Sequence, residues 1–154
     1  MAIDSSSEAI RLASQYMGHR YPGIAPEIYF ETQSVLEFFP RETDEAYDLV
    51  VDCQTLQHFN WLRRADAYKE ICRVLKPQGK FWSMCWCGSA EAANRIYAGN
   101  YPELDFMLIE DIVEVLRENG LKIVGRPIIT TRTYPELGNV MGEWMIIEAV
   151  KPCE

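Results

Sequence analysis

Apolar and polar positions alternate along this chain between strand-like and helix-like stretches. Ala2-Ile3 is a short apolar pair followed by Asp4 and three serines. Ser5, with Glu8 three residues on, matches a capping box. Ala9, Ala13, Tyr16 and Met17 then recur at helical spacing as far as Gly18, which predicts a helix ending there. A loop with Pro22, Gly23 and Pro26 leads to a short predicted strand, Ile28-Tyr29-Phe30. Phe38-Phe39-Pro40 and an acidic turn from Arg41 to Glu45 precede a strand at Tyr47–Cys53. Its run Leu49-Val50-Val51 is apolar without interruption, which predicts a strand covered on both faces.

Tyr68, Ile71, Cys72 and Leu75 form a second helical stripe. It stops at Lys76-Pro77, because proline lacks a backbone donor and forces the residue before it out of helical geometry. Gly79 relaxes the turn into a strand at Lys80–Cys87. Gly88 to Pro102 is weakly periodic, with a helix predicted from Ala90 to Tyr97. Ile109, Ile112, Val113 and Leu116 make an amphipathic helix stopped by Asn119-Gly120. Leu121–Thr131 and Glu143–Val150 read as two closing strands joined by the loop Tyr134 to Gly142. Strand–helix–strand crossovers build parallel sheets, so the chain predicts one α/β domain over residues 1–154. Ligands of such sheets bind beyond the carboxyl ends of the strands, where Asp52, Cys53 and His58 fall.

Composition narrows the partners. Hydrophobic residues are 48% and charged residues 25% of the 154, ordinary for one soluble globular domain. The N-terminus lacks the positive charge and apolar core of a signal peptide, and no apolar run is long enough to span a bilayer, so no membrane partner is expected. The net charge of −8, with Arg63-Arg64 as the densest basic pair, argues against nucleic acid. Five cysteines are an odd count, which fits reduced thiols and a cytoplasmic protein. Cys85 and Cys87 share one strand face with no histidine nearby, so they are expected to be structural and no metal site is expected.

In this order the segments resemble a known family. Tyr47-Asp48-Leu49-Val50-Val51, then Leu56-Gln57-His58, then Arg73-Val74-Leu75-Lys76-Pro77-Gln78-Gly79 leading into an apolar strand, is similar to the second half of a class I S-adenosylmethionine-dependent methyltransferase. Ala2 to Ala13 resembles the family's second strand and the helix after it. Ile28 to Ser34 resembles the third strand, and Ile109–Val124 and Glu143–Pro152 the closing elements. The resemblance implies a Rossmann-like, mostly parallel sheet with helices on both faces and an antiparallel terminal strand. It implies S-adenosylmethionine as cofactor and a small-molecule substrate, selected by the loops Gly88–Pro102 and Tyr134–Gly142.

Residue by residue, the resemblance places Asp4, with Ser5 beside it, at the cofactor's ribose. Without it, Asp4 reads equally well as an extension of the serine cap. Gln33 and Ser34 stand at the adenine, where the family usually has an acid, and a polar loop residue is the alternative. Asp52 and Cys53 face the methionine part and the substrate. His58 occupies the position of a general base for a substrate hydroxyl or amine, or else packs at the sheet edge. Trp61 is the tryptophan best placed to wall a pocket, whereas Trp82, Trp86 and Trp144 lie in strand patterns that suit core packing. Lys76 corresponds to a structural lysine.

One family feature has no counterpart: no G-x-G pattern occurs in the chain. The sequence is therefore expected to be incomplete at the N-terminus relative to the family, and to bind cofactor weakly alone. Three functional readings stand: a methyltransferase, as a shortened copy; a non-catalytic interaction or structural module; or one part of a split enzyme. Strand edges at Ala2-Ile3 and Leu49–Asp52 would then be open to self-association or a partner chain.

Overall fold

A computed structural model of the protein describes residues 1–87, 108–134 and 140–153, with side chains outside the description at 61 and 132–142. The chain divides into two compact units, Met1–Glu42 and Thr43–Glu154. The first holds a parallel pair, β1 (Ala2–Asp4) and β2 (Phe30–Thr32), with Asp4 opposite Thr32 at its carboxyl end. Helix α1 (Ser7–Arg20) is the crossover between them.

The cap of α1 sits one residue later than expected. Ser6, not Ser5, is the N-cap, and its Oγ accepts from the Ala9 amide at 3.2 Å. Glu8 pairs with Arg11 instead of closing a capping box. Gly18 does not stop the helix, which runs on to Arg20. Tyr21 ends it outside helical geometry, at φ −134° and ψ 59°, as expected of a residue kept out of the helical region by the proline that follows, and its amide bonds back to Met17 O at 2.8 Å. The second strand also starts later than Ile28, because a 3₁₀ turn at Ala25–Glu27 occupies the approach. After β2 come the short helix α2 (Val35–Phe38) and a 3₁₀ turn, Phe39–Arg41, neither of which the periodicity revealed.

In the second unit β3 (Tyr47–Cys53), α3 (Trp61–Val74) and β4 (Leu75–Cys87) form a second parallel crossover, in register from Leu49 opposite Lys80 to Cys53 opposite Met84. Helix α4 (Ile109–Glu118) stops at Asn119-Gly120 as expected, with Gly120 in the left-handed region at φ +84°. The closing strand β7 (Val140–Val150) runs antiparallel to β4. These crossovers and the antiparallel closing strand give the chain the mixed α/β, Rossmann-like fold that the sequence predicts.

Three boundaries differ. Strand β4 takes in the Lys76–Gly79 turn. Gln78 adopts φ +64°, and a Cβ on Gly79 would lie 2.7 Å from Lys76 O, so only glycine fits there. The predicted strand Leu121–Thr131 is two, β5 (Lys122–Ile123) and β6 (Ile128–Tyr134), both paired with β7. Gly125 at φ +70° and Pro127 break the run between them. The predicted loop Tyr134 to Gly142 is strand at both ends, and its residues 135–139 lie outside the description. The predicted helix from Ala90 to Tyr97 lies outside it as well.

The core of this unit lies on one face of the sheet. Tyr68 of α3 meets Phe81 of β4 edge-on at 6.0 Å between ring centroids, over buried Ile71, Val74, Met145 and Ile147. Val50 is opposite Phe81 and Asp52 opposite Ser83, so these share the covered face. Leu49 and Val51 point the other way and are 54% and 55% exposed, against the expectation of burial on both faces. Among the described residues β3 pairs only with β4, which makes it an edge strand.

Candidate functional site

At the carboxyl end of the β1–β2 pair, the backbone continues the ladder by one bond, Gln33 N to Asp4 O at 2.9 Å, so Asp4 and Gln33 lie side by side. The Asp4 carboxylate accepts the Ser6 amide on Oδ1 at 2.7 Å, which turns the chain into α1. Among the described residues nothing bonds Oδ2. Ser5, between them, is exposed. The Gln33 amide, in the orientation that satisfies its neighbours, donates Nε2 to Glu31 Oε1 at 2.7 Å and accepts Arg41 Nη1 on Oε1 at 2.8 Å. Ser34 begins α2 without a side-chain cap bond, which leaves its hydroxyl at the strand end.

At the carboxyl end of β3, Asp52 does not present its carboxylate outward. It is buried, with Oδ2 accepting Ser83 Oγ at 2.8 Å and Oδ1 accepting the Thr55 and Leu56 amides at 2.9 and 3.3 Å. Burial pushes its carboxyl above the usual carboxylate range, while those three donors and the Arg64 charge oppose the shift. Gln54 then takes a left-handed φ of +67°, and a 3₁₀ turn, Leu56–His58, follows.

Arg64, buried in α3, donates Nη2 to Gln57 O at 3.0 Å and to Phe59 O at 2.9 Å. Gln57, also buried, accepts the Trp86 amide on Oε1 at 2.7 Å. The turn thus rests on a polar cluster and carries His58 and Cys53 exposed on its outer side. Partial desolvation and Asp52 beside it push the Cys53 thiol up, the opposite of an activated nucleophile.

Gln57, Arg64 and Ser83 were not picked out from the sequence. The spacing from Asp52 to the amides three and four residues on was a readable cap signal, but the Ser83 partnership depends on strand register. The Trp61 side chain, expected in a pocket wall, is outside the description, although its backbone begins α3. Trp86 and Trp144 pack edge-on across β4 and β7 at 5.4 Å. Cys85 and Cys87 are buried on one strand face, and Lys76 pairs with Asp48 at 2.8 Å.

A family model described as a methyltransferase domain matches residues 1–79 of the 154, the span that contains every residue singled out above from Asp4 to His58. The chain belongs to the methyltransferase domain family. Solved structures share its fold. A methyltransferase from Bacillus halodurans C-125, itself described as putative, superposes with a TM-score of 0.79 at 15% identity over 99% of this chain and 82% of that one. The cyclase SpnF gives 0.72 at 20% identity over 99% and 65%. A geranyl diphosphate C-methyltransferase from Streptomyces coelicolor A3(2), solved with S-adenosyl-L-homocysteine, gives 0.69 at 12% identity over 97% and 61%. The chain therefore spans less than two thirds of SpnF and of the Streptomyces enzyme. Comparison with the curated proteins finds no match.

The cofactor of this methyltransferase class is S-adenosylmethionine. The β1 end fits part of it: a carboxylate at a parallel strand end, with one oxygen bonded to nothing among the described residues, can accept from a ribose diol. Gln33 fits the adenine less well, because both ends of its amide are engaged.

Proposed function

We propose that this methyltransferase domain acts on a small molecule, with Asp4 as the ribose-binding residue. The observation that carries the reading is the Asp4 carboxylate, held by Ser6 on one oxygen and bonded to nothing among the described residues on the other, within the matched family span. The Ser5 and Ser34 hydroxyls line the same strand end, and Gln33 reaches the adenine only by exchanging one of its present partners. When bound, S-adenosylmethionine supplies an electrophilic methyl group on a positively charged sulfur. Within the second unit, the turn after β3 presents exposed Cys53 and His58 to a methyl acceptor. There the His58 imidazole takes the proton of a hydroxyl or amine acceptor, if that acceptor needs a base. The carboxylate of Asp52 supports this turn from behind and is not itself a ligand.

The Streptomyces protein's geranyl diphosphate, and the acidic charge of the present chain, favour a small acceptor over a nucleic acid. No described helix is long and apolar enough to cross a membrane. We place the protein in the cytoplasm on its reduced cysteines, and read residues 1–154 as one domain. A second reading, an interaction module or one part of a split enzyme that pairs through β3, is favoured by the open edge of that strand and its exposed Leu49 and Val51. Titration with S-adenosylhomocysteine separates the two. Saturable binding weakened by Asp4→Ala supports the enzyme, and no binding at millimolar ligand supports the module.

A further inference from the structure

Four polar or charged residues are buried among the described residues: Asp52, Gln57, Arg64 and Ser83, at 6%, 8%, 2% and 1% exposure. They gather at the single turn that follows β3: Gln57 lies in it, Asp52 and Arg64 bond its backbone, and Ser83 bonds Asp52. Burying a polar group is unfavourable unless it is hydrogen-bonded, and here most of the cost is met by the turn's backbone, by Ser83 and by the Trp86 amide, while Arg64 Nε makes no hydrogen bond among the described residues. From the strand side, Asp52 takes the Ser83 hydroxyl and the Thr55 and Leu56 amides. From the helix side, Arg64 Nη2 bridges the carbonyls of Gln57 and Phe59, the residues on either side of His58. Gln57 ties the same turn to the Trp86 amide of β4, and the left-handed Gln54 is pinned by its amide to Met84 O at 2.9 Å.

We propose that Asp52 and Arg64 are positioning residues, a two-sided clamp that fixes the backbone of His58 in the turn after β3. The inference rests on the methyltransferase reading for what His58 faces, but not for the clamp itself. Each side has a distinct chemical requirement. The side chain at position 52 must accept the two amides on one atom and either accept from or donate to Ser83 on the other, since the Ser83 hydroxyl can donate or accept. Asparagine can meet that pattern and alanine cannot. The side chain at position 64 must itself donate to the carbonyls of Gln57 and Phe59, which methionine, of similar length, cannot do.

The test uses the full chain with Asp52→Ala, Asp52→Asn, Ser83→Ala and Arg64→Met. Amide hydrogen exchange at Thr55 and Leu56 and the imidazole resonances of His58 are followed, with and without S-adenosylhomocysteine. The expected result is at least tenfold faster exchange at both amides and multiple or broadened His58 signals in Asp52→Ala. Asp52→Asn should be close to wild type, and Arg64→Met should disturb His58 without freeing the Thr55 amide. Ser83→Ala, which removes one bond only, serves if Asp52→Ala does not fold, with a smaller change in the same direction. Unchanged exchange and a single sharp His58 signal in both Asp52→Ala and Arg64→Met, or in Ser83→Ala where Asp52→Ala does not fold, would overturn the clamp. An equal loss of S-adenosylhomocysteine affinity in Asp52→Asn and Asp52→Ala, with the exchange pattern of wild type, would overturn it too and make Asp52 a direct ligand. If wild type binds no S-adenosylhomocysteine, the methyltransferase reading fails while the exchange data still decide the clamp.

Discussion

The Ser83 hydroxyl donates to Asp52 Oδ2 at 2.8 Å, joining residues 31 positions apart that the parallel register of β3 and β4 sets directly opposite each other. This bond makes Asp52 an internal residue at a strand end where family resemblance implied a ligand-facing one.

A pH dependence of stability follows. Burial raises the Asp52 carboxyl above its ordinary value of 3.8, so the folded protein holds the proton more tightly than the unfolded chain. That contribution is full below the unfolded value and is lost as pH rises through the raised folded one. Asp52→Asn carries no charge to bury, so its urea midpoint relative to wild type should rise across that window. A midpoint difference that moves the other way would show that the three donors outweigh burial.

Asp52→Ala should be destabilising by about 3 kcal/mol, since it leaves two amides and a hydroxyl without their acceptor at roughly 1–3 kcal/mol for a buried unsatisfied group. Ser83→Ala removes one bond and should cost about 1–2 kcal/mol. Urea denaturation at neutral pH measures both, and equal losses would argue against the network.

Gly79→Ala should cost about 1–3 kcal/mol, because the new Cβ meets the Lys76 carbonyl, a backbone atom that cannot step aside. Gly18→Ala has open space and sits inside α1, so it should stabilise by about 0.5–1 kcal/mol. Thermal midpoints of the two variants should therefore move in opposite directions.

Tyr68→Ala should be among the most damaging core changes, about 3–5 kcal/mol, as it removes a fully buried ring from its edge contact with Phe81. A loss below about 1 kcal/mol would mean that α3 does not hold the core as described.

Much of the fold was legible because its elements follow strong periods. The seven residues of β3, the α3 stripe as far as Cys72 and the stop of α4 at Asn119-Gly120 stand where the pattern puts them, while Leu75, read as the end of the stripe, opens β4. The errors fall where local chemistry offers near-equal choices. Three adjacent serines could each cap α1, and the Asp4–Ser6 bond selects the second. Gly18 reads as a stop, but a helix tolerates glycine until a stronger breaker arrives, here Pro22 beyond Tyr21. Leu121–Thr131 reads as one apolar run, while Gly125 and Pro127 bend it into two strands.

The positions of Asp4 and Asp52 at strand ends, and of His58 in the turn after β3, were legible from their place in the crossovers. Whether a carboxylate turns outward or inward was not, because that depends on Ser6 for Asp4 and on Ser83 for Asp52. Leu49 and Val51 show the same limit: an apolar run is identical for a covered strand and for an open edge.

The central claim is that Asp4 makes the β1 end a cofactor site. Isothermal titration of wild type and Asp4→Ala with S-adenosylhomocysteine tests it most directly. The account predicts saturable one-site binding to wild type below millimolar ligand, weakened in Asp4→Ala by about 1.5–3 kcal/mol, the loss of a charge-assisted hydrogen bond. Identical affinities for the two proteins, or no binding to wild type at millimolar ligand, would contradict it.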